Sequence, residues 1–361
     1  MDDVLLSVVI PFYNAKDTVL RAADSVVHQP CADRVELLLV NDGSKDEGGL
    51  LCDRYVETCS TPAQVRVLHK NNGGASSAMN LGIQQAIGRY ICFLDADDWW
   101  ETGFFDESLV ELLKENFDLY TFSYQSVSSD MRWRKVYPIE EKEQRGLKPD
   151  SDRPFYIRHW ACITRREHLV RNHLSYPLCN VNEDVAFVHL VSALAESIKS
   201  CDRIMLSYWL NPKSCVHTSS PRTMMDETLK SLRIEKEMFV ERGFDYENDR
   251  AALSAIAKEL PTVCSQMRYR ELQKYLALPQ FDLLRQDAVK PWDQFSKRVE
   301  AYHNHPVLFW LRCQVSPGVT LAVKRFLYRS LVLMRLACFV RYRLKLRWLP
   351  FEPPSEWKQE G

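Results

Sequence analysis

The chain has 361 residues, 46% of them hydrophobic, which is enough for one large core and a smaller attached region. Its 47 basic and 48 acidic side chains nearly cancel, so the overall charge does not indicate nucleic-acid binding. The 11 cysteines are scattered singly without a CxxC pair, which favours reduced thiols over disulfides or a zinc site. No basic leader precedes the short apolar run at 4–12, and no apolar stretch has the length of a membrane span, so we expect a cytoplasmic protein.

The first part of the chain alternates short apolar runs, rich in β-branched residues, with amphipathic stretches. Strands are predicted at 6–12, 35–40, 65–68 and 90–94. Helices are predicted between them, near 16–28, 45–58 and 75–87. This alternation predicts a parallel sheet that is covered by helices on both faces.

The later part of the chain is more mixed. The further predicted elements are a strand at 119–124, helices at 165–172 and from 183 onward, and a strand at 204–210. The polar stretch at about 130–155 contains prolines and a glycine, which predicts a hairpin or a flexible loop. From 226 to 303 the sequence is charged and has the pattern of helices.

Polar, turn-forming residues follow each of the first four predicted strands. They are Pro-Phe-Tyr-Asn at 11–14, Asn-Asp-Gly-Ser at 41–44, Lys-Asn-Asn-Gly-Gly at 70–74 and Asp-Ala-Asp-Asp-Trp at 95–99. In an open parallel sheet, ligands bind beyond the carboxyl ends of the strands, so these residues should meet at one edge. Carboxylates that converge there without nearby His or Cys indicate a divalent cation, Mg²⁺ or Mn²⁺ rather than zinc.

Each of these motifs alone has an ordinary structural explanation as well. Asp95 and Asp97 are two residues apart and point to the same side of an extended chain, but such a sequence also caps helices. Asp42 is either a turn residue or an acceptor for a base N–H, and Tyr13 is either a packing residue or a stacking surface for a base. The Asn-Gly-Gly at 72–74 lets the backbone approach a ligand before a helix, which is a weak phosphate signal.

In combination, the order and spacing of these motifs resemble glycosyltransferase family 2, whose members have the GT-A fold. The matching segments are Ser-Val-Val-Ile-Pro-Phe-Tyr-Asn at 7–14, Val-Asn-Asp-Gly-Ser at 40–44, the Asn-Gly-Gly segment at 72–82, Phe-Leu-Asp-Ala-Asp-Asp-Trp at 93–99, the stretch at 160–172 and Asn-Glu-Asp-Val-Ala-Phe at 182–187. The resemblance covers roughly residues 5–220. It implies an α/β fold of GT-A type, with an open, mainly parallel sheet flanked by helices and a C-terminal helical region.

The resemblance also implies an activity. It is that of an inverting, metal-dependent glycosyltransferase of hexosyltransferase type, which moves a sugar from a UDP-sugar to a hydroxyl of a glycan or lipid-linked glycan acceptor in polysaccharide biosynthesis. Asp97 would ligate Mn²⁺ or Mg²⁺ on the diphosphate. Asp184 would be the catalytic base, with Glu183 as the first alternative; both acids and Asn182 could instead simply begin a helix.

The nucleotide would be held by the strand-end residues. In the resemblance, Tyr13 and Asp42 hold the uridine, and Asp95 contacts the ribose or the sugar. The complete predicted nucleotide-binding set is Pro11, Tyr13, Asp42, Asn72, Gly73 and Asp95.

The chain departs from the family pattern near the nucleotide. Residues 78–80 read Ala-Met-Asn where members commonly have Ala-Arg-Asn, so one expected cation is absent. Lys70 and Arg89 are candidates to replace it. Lys213 and His217 are candidates to reach the diphosphate, although a surface lysine and a packed histidine are the ordinary alternatives.

Two other classes of protein compete with this interpretation. A phosphatase of haloacid-dehalogenase type also has a strand-end DxD, but it requires Thr or Val where this chain has Trp99, and its DxD follows the first strand rather than the fourth. A catalytically inactive sugar-nucleotide-binding protein is the second alternative. The presence of both Asp97 and Asp184 argues against lost activity.

Three domains are predicted: a GT-A nucleotide-sugar domain at 1–220, a helical extension at 221–300 and a basic amphipathic segment at 301–361. Residues 301–351 contain nine Lys or Arg and no Asp or Glu, interleaved with aromatic residues. This composition suits an anionic membrane surface, which would make the protein peripheral on the cytosolic face. The alternative is a helical subdomain whose basic face lies in water. We expect no nucleic-acid partner, because no recognised module accompanies the charge.

Overall fold

The structure is a computed structural model that describes residues 4–149, 158–179, 183–212, 214, 220–244 and 358–359. The strands are β1 (Leu6–Phe12), β2 (Val35–Asn41), β3 (Gln64–His69), β4 (Tyr90–Phe93), β5 (Trp99–Trp100), β6 (Leu119–Val127), β7 (Trp133–Tyr137), β8 (Lys142–Arg145), β9 (Cys162–Arg165), β10 (Ser197–Trp209) and β11 (Lys358–Gln359). The helices are α1 (Val19–Val27), α2 (Gly48–Thr58), α3 (Ala75–Gln85), α4 (Glu107–Lys114), α5 (Arg166–Arg171), α6 (Glu183–Leu194) and α7 (Pro221–Val240). The described residues form one compact unit, except 220–226, which belong to a second.

The strands form a single sheet with β1 near its centre. β1 pairs in parallel with β2 on one side and with β4 on the other, and β2 pairs in parallel with β3. Beyond β4 the sheet becomes mixed, because β9 is antiparallel to both β4 and β6, whereas β6 and β10 are parallel. The predicted open, mainly parallel sheet flanked by helices is confirmed, with antiparallel strands added on the β6 side.

The central strands are apolar because helices cover both faces of the sheet. All seven residues of β2 are buried, as in a strand that packs on two sides. The buried residues of α1 have the spacing of one helix face, and this face packs on β1 and β2: Val19, Ala22, Ala23, Val26 and Val27. On α3, a Cβ added at Gly82 would stand only 2.3 Å from a Val9 side-chain methyl carbon, so glycine permits the close approach of α3 to β1.

Several predicted elements differ from those observed. The short strands β5 and β9 were not predicted, and β10 begins at Ser197 rather than at 204. In the polar stretch at 130–155, β7 completes a hairpin with β6, but β8 pairs with β10 instead. The helical pattern predicted from 226 corresponds to α7. The rest of the predicted domains 221–300 and 301–361 lies outside the described residues, apart from 241–244 and the pair 358–359.

None of the helices in the described ranges is both long enough and apolar enough to cross a membrane.

Candidate active site

The polar residues after the first four strands meet at one edge of the sheet. Tyr13 follows β1, Asp42 follows β2, the pair 72–73 follows β3, and the DxD residues 95–97 follow β4. Because these four strands are parallel neighbours, their carboxyl ends lie side by side. Asp42 and Asp97 are therefore on the same edge, separated by the end of β1.

Asp42 is buried and held by a cradle of donors. Its side chain accepts hydrogen bonds from Lys70 Nζ at 2.5 Å and Gly73 N at 2.9 Å on Oδ1, and from Gly74 N at 2.8 Å on Oδ2. Asn72 Nδ2 donates to the Asp42 carbonyl at 2.9 Å, which ties the β3 loop to the β2 loop. These contacts fix the carboxylate as an oriented acceptor at the edge of the sheet.

The glycine after Asp42 is required by this close contact. Gly43 has φ +70, and an added Cβ would lie 2.8 Å from Asn72 N. A side chain would therefore meet both backbone strain and a steric clash with the β3 loop.

Lys70 supplies the cation at this edge. Its ammonium lies against Asp42 and also donates to the Asn71 carbonyl at 2.6 Å. Arg89 immediately precedes β4 and thus lies at the opposite, amino end of the sheet, and Met79 is buried. Of Lys70 and Arg89, the two candidates to replace the cation missing from the motif at 78–80, only Lys70 is near the predicted nucleotide site.

Tyr13 presents its ring to solvent from a fixed loop. The residue is 43% exposed, whereas Pro11 before it is half-buried. The next residue, Asn14, has φ 52; its N–H donates to Ser44 Oγ at 3.0 Å, and its Oδ1 accepts from Lys45 N at 2.8 Å. An exposed ring on a loop tied to the neighbouring strand end can stack on a planar ligand.

The DxD loop is held from two sides. Asp97 Oδ2 accepts a hydrogen bond of 2.8 Å from Asn211 Nδ2, and the Asp97 carbonyl accepts one of 2.5 Å from Arg21 on α1. The Arg21 guanidinium lies 4.3 Å from the ring centre of Trp99 and 5.1 Å from that of Trp209, a cation–π arrangement. Both α1 and the end of β10 therefore fix the position of Asp97.

The neighbouring carboxyls of the loop have different environments. Asp98 is fully buried and accepts the Trp209 N–H at 2.8 Å, so it has a structural role. Burial and the charge of Asp95 raise the pKa of Asp97, against the opposing effects of Asn211 and Arg21. Of these two adjacent acids, Asp97 is the one that can serve a ligand.

The donor set fits a divalent cation that shares its ligands with a substrate. Within the described ranges, no cluster of three or more His, Cys, Asp or Glu side chains could hold a metal by itself. Mg²⁺-type sites commonly combine one or two carboxylates with substrate phosphates and water, so a single strand-end carboxylate such as Asp97 suits that role.

A buried histidine connects the DxD loop to the beginning of α6. His159 Nε2 lies 3.7 Å from Asp95 Oδ1, the distance of an ion pair rather than of a hydrogen bond, and Nδ1 lies 3.1 Å from the Tyr176 hydroxyl. Burial lowers the pKa of His159, but Asp95, together with Asp184 and Glu183, outweighs this effect and the pKa is raised. Asp95 thus lies beside the ring, and the charges of Asp184 and Glu183 at the start of α6 act on it as well.

Glu183 and Asp184 occupy the first turn of α6, where helix N–H groups favour negative charge. Burial, followed by the charge of Asp184, raises the pKa of Glu183 to about 7, although His159 acts in the opposite direction. A carboxyl group with this pKa can accept or release a proton near neutral pH. Asn182, the first residue of the predicted motif, lies outside the described residues, as do Lys213 and His217.

α3 anchors the segment that leads toward α6. Asn80 Nδ2 donates to the Tyr176 carbonyl at 2.9 Å, and Tyr176 N donates to Asn80 Oδ1 at 2.7 Å. Ser76 Oγ donates to the Cys179 carbonyl at 3.0 Å. The helix that follows the Asn-Gly-Gly loop therefore also positions the approach to Glu183 and Asp184.

Sequence reasoning missed four residues of this arrangement: Arg21, Asn80, His159 and Asn211. Each acts on a partner that is distant in the chain, so no local spacing identified it. Asn80 lay within a matching motif, and His159 lay directly before one, which were the available signals.

Comparison with known proteins identifies the family of this chain. The family model described as Glycosyl transferase family 2 matches residues 7–170. The uncharacterized glycosyltransferase EpsJ of Bacillus subtilis (strain 168) is 32% identical over 241 residues, which are 63% of this chain and 67% of EpsJ. The minor teichoic acid biosynthesis protein GgaB of the same organism is 38% identical over 104 residues, which are 28% of this chain but only 11% of GgaB.

A solved structure shares the fold. S. aureus TarS 1-349 in complex with UDP-GlcNAc superposes with a TM-score of 0.61 at 16% identity, over 86% of this chain and 92% of that one. The GT-A architecture expected from the sequence is therefore confirmed. The family match excludes the phosphatase alternative. The chain belongs to glycosyltransferase family 2 and is a glycosyltransferase.

Proposed function

We propose that this chain is an inverting, metal-dependent glycosyltransferase that transfers a sugar from a UDP-sugar to a hydroxyl of a glycan or lipid-linked glycan. The observation that carries the proposal is the ion-pair contact of His159 with Asp95, because the charges of Asp184 and Glu183 at the start of α6 act on the same buried ring. This arrangement supports one shared pocket for the groups that would bind the donor and the groups that would remove the proton.

The Asp42 cradle would recognise the uracil base. Uracil presents an N–H where cytosine presents an acceptor nitrogen, so an oriented carboxylate favours uracil. Tyr13 would stack on the base, and the Lys70 ammonium would favour its carbonyl oxygen or the nearby negative charge. Pro11, Asn72 and Gly73 would shape the same end of the pocket. The similarity of the fold to TarS, which was solved with UDP-GlcNAc, supports a UDP-sugar donor.

Asp97 would hold Mn²⁺ or Mg²⁺, which, when bound, neutralises the charge that develops on the departing diphosphate. The side-chain amide of Asn211 would keep Asp97 turned toward the donor. Asp95, directed by His159, would contact the ribose or the sugar.

Asp184 would act as the general base. As the acceptor oxygen attacks the anomeric carbon, Asp184 takes the hydroxyl proton, the new carbon–oxygen bond forms, and the bond to the diphosphate breaks with UDP as leaving group. Attack from the face opposite the nucleotide inverts the configuration, and no covalent enzyme intermediate is required. Glu183, whose pKa is about 7, is the second candidate for the base.

The acceptor would be a glycan or lipid-linked glycan that is used in polysaccharide biosynthesis. The name of GgaB, a minor teichoic acid biosynthesis protein, supports this class of acceptor. The basic segment 301–361 would hold the enzyme on the cytosolic face of an anionic membrane, near a lipid-linked acceptor. Flotation of the full chain with anionic vesicles tests this location; an R341A/R343A/K345A/R347A variant that floats equally well would contradict it.

A donor panel tests the proposed activity. We expect UDP release from at least one UDP-sugar with Mn²⁺, and slower release from the matching CDP-sugar. The anomeric configuration of the product, read by NMR, should be opposite to that of the donor. UDP binding without turnover on any donor and acceptor would instead support an inactive sugar-nucleotide-binding protein.

A further inference from the structure

We propose that His159 is a positioning residue of the transfer reaction. Its cationic ring directs Asp95 toward the donor and favours the ionised form of the carboxylates in the first turn of α6, which can then accept a proton. This inference rests on the proposed function. It assigns a role to a residue that the sequence motifs do not include.

The ring of His159 is fixed on every side. The residue is only 4% exposed, and its ring lies parallel to Phe93 with centres 6.2 Å apart and an interplanar angle of 9°. Asp95 lies at Nε2 and the Tyr176 hydroxyl at Nδ1. A ring that carries protons on both nitrogens directs both toward oxygen atoms in this position.

Tyr176 connects the ring to two helices. Its backbone is held by both groups of the Asn80 side-chain amide on α3. Its own ring stacks on Phe187 of α6, with centres 3.9 Å apart and an interplanar angle of 17°. The orientation of His159 is therefore coupled to the helix that begins with Glu183 and Asp184.

The charges around the ring explain why a cation is needed there. The titratable groups around His159 are Asp95 from the β4 loop and the Tyr176 hydroxyl, which contact the ring, and Glu183 and Asp184 from α6, whose charges act on it. Three carboxylates in one partly buried pocket repel each other, and an opposite charge among them favours their ionised forms. The charge of His159 accordingly acts to lower the pKa of Glu183. Without the charge of His159, the pKa of the base would rise. The base would then stay protonated to a higher pH and could not take up the acceptor's proton in that range.

Two substitutions separate charge from shape. H159Q keeps a polar side chain of similar reach without the charge, and H159F keeps the aromatic ring that stacks on Phe93. For both variants we expect kcat to fall at least about tenfold near pH 6, because a group that orients and polarises a general base acts on the chemical step. The acidic limb of the pH–rate profile should move up by about one pH unit, the usual scale of a nearby opposite charge. The fall in kcat should exceed the change in the Kd for UDP, because His159 acts on nucleotide binding only through Asp95, whereas Asp42 and Tyr13 would hold the base.

His168 offers a matched control. It is also a fully buried histidine, but its Nε2 lies 2.9 Å from the Val191 carbonyl. H168Q should leave the position of the acidic limb unchanged. A loss of rate in H159Q and H159F without any shift of the limb would overturn the proposal, as would unchanged rates in both.

An NMR titration of the full chain tests the same claim without a substrate. The His159 ring signals are identified by their absence in H159Q. We expect the ring to remain protonated to a higher pH than an ordinary histidine, and D95N and D184N each to lower the midpoint of its titration. A midpoint that neither variant changes would overturn the proposal. Failure of every UDP-sugar in the turnover assay, with this titration as expected, would contradict the proposed function alone.

Discussion

The side-chain amide of Asn211 donates a hydrogen bond of 2.8 Å to Asp97 Oδ2, and so joins the residue that follows β10 by two positions to the loop after β4. Arg21 holds the backbone of the same loop from α1. The carboxylate proposed to ligate the metal is therefore oriented by groups from distant parts of the chain.

Removal of this amide should weaken binding of the metal–nucleotide complex. For N211A we expect Mn²⁺-dependent UDP affinity to fall about tenfold, the lower end of the effect of losing a hydrogen bond that orients a ligating carboxylate. Calorimetry with and without Mn²⁺ measures the difference. N172A is the control, because that amide bonds to the His168 backbone instead. Equal affinities of N211A and N172A would show that Asp97 does not need Asn211.

Lys70 should contribute to both stability and nucleotide binding. Its side chain is only 18% exposed, and its ammonium pairs with the buried Asp42 carboxylate. K70M leaves that carboxylate without its cation, so we expect a loss of about 2 kcal/mol in the free energy of unfolding and about tenfold weaker UDP binding. Urea denaturation and calorimetry measure the two effects. The exposed neighbour Lys45 gives the control variant K45M, and matching behaviour of the two variants would contradict a role for Lys70.

Tyr13 should affect binding but not folding. Loss of a stacking ring costs on the order of 1–3 kcal/mol of base binding, so Y13A should bind UDP at least about fivefold more weakly, whereas Y13F should bind like the native protein. Because Tyr13 is an exposed residue outside the core, the melting temperature of both variants should stay near that of the native protein. Equal UDP affinity of Y13A and Y13F would exclude stacking.

The raised pKa of Glu183 makes stability depend on pH. A carboxyl group whose pKa is higher in the folded than in the unfolded chain binds its proton more tightly when folded. The folded state therefore loses this advantage as pH rises from the ordinary glutamate value toward about 7. E183Q cannot ionise and so avoids the cost of the buried charge. The free energy of unfolding of E183Q minus that of the native chain should therefore be larger at about pH 8 than at about pH 5, by at most about 3 kcal/mol.

Thermal unfolding of E183Q and the native chain at both pH values measures this difference. E57Q removes an exposed carboxyl group on α2 and should show no such trend. A stability difference for E183Q that is the same at both pH values would mean that Glu183 keeps an ordinary pKa.

The nucleotide half of the fold was predictable because β1, β2 and β4 are buried on both faces. Such strands appear as continuous apolar runs, and the polar residues that end them identify the ligand edge. β5 has two residues and β9 four, too few to show a pattern, and the first half of β10 alternates partly exposed polar residues with buried ones. These elements depend on their neighbours in the sheet rather than on local sequence.

The same distinction applies to the site. Asp42 and Asp97 were recognised because each lies within a compact motif of its own. His159 and Asn211 were not, because a single His or Asn has no periodicity and its meaning comes from a partner in another part of the chain. Long-range contacts of this kind require the folded structure.

Turnover and UDP binding of D184N and D97A, measured side by side with Mn²⁺ and an active UDP-sugar, test the shared pocket most directly. We expect D184N to bind UDP nearly as the native chain does and to turn over at least about a hundredfold more slowly, the scale of a lost general base. D97A should lose both binding and turnover, because it removes the stabilisation of the leaving diphosphate. Native turnover in both variants would contradict the proposed pocket.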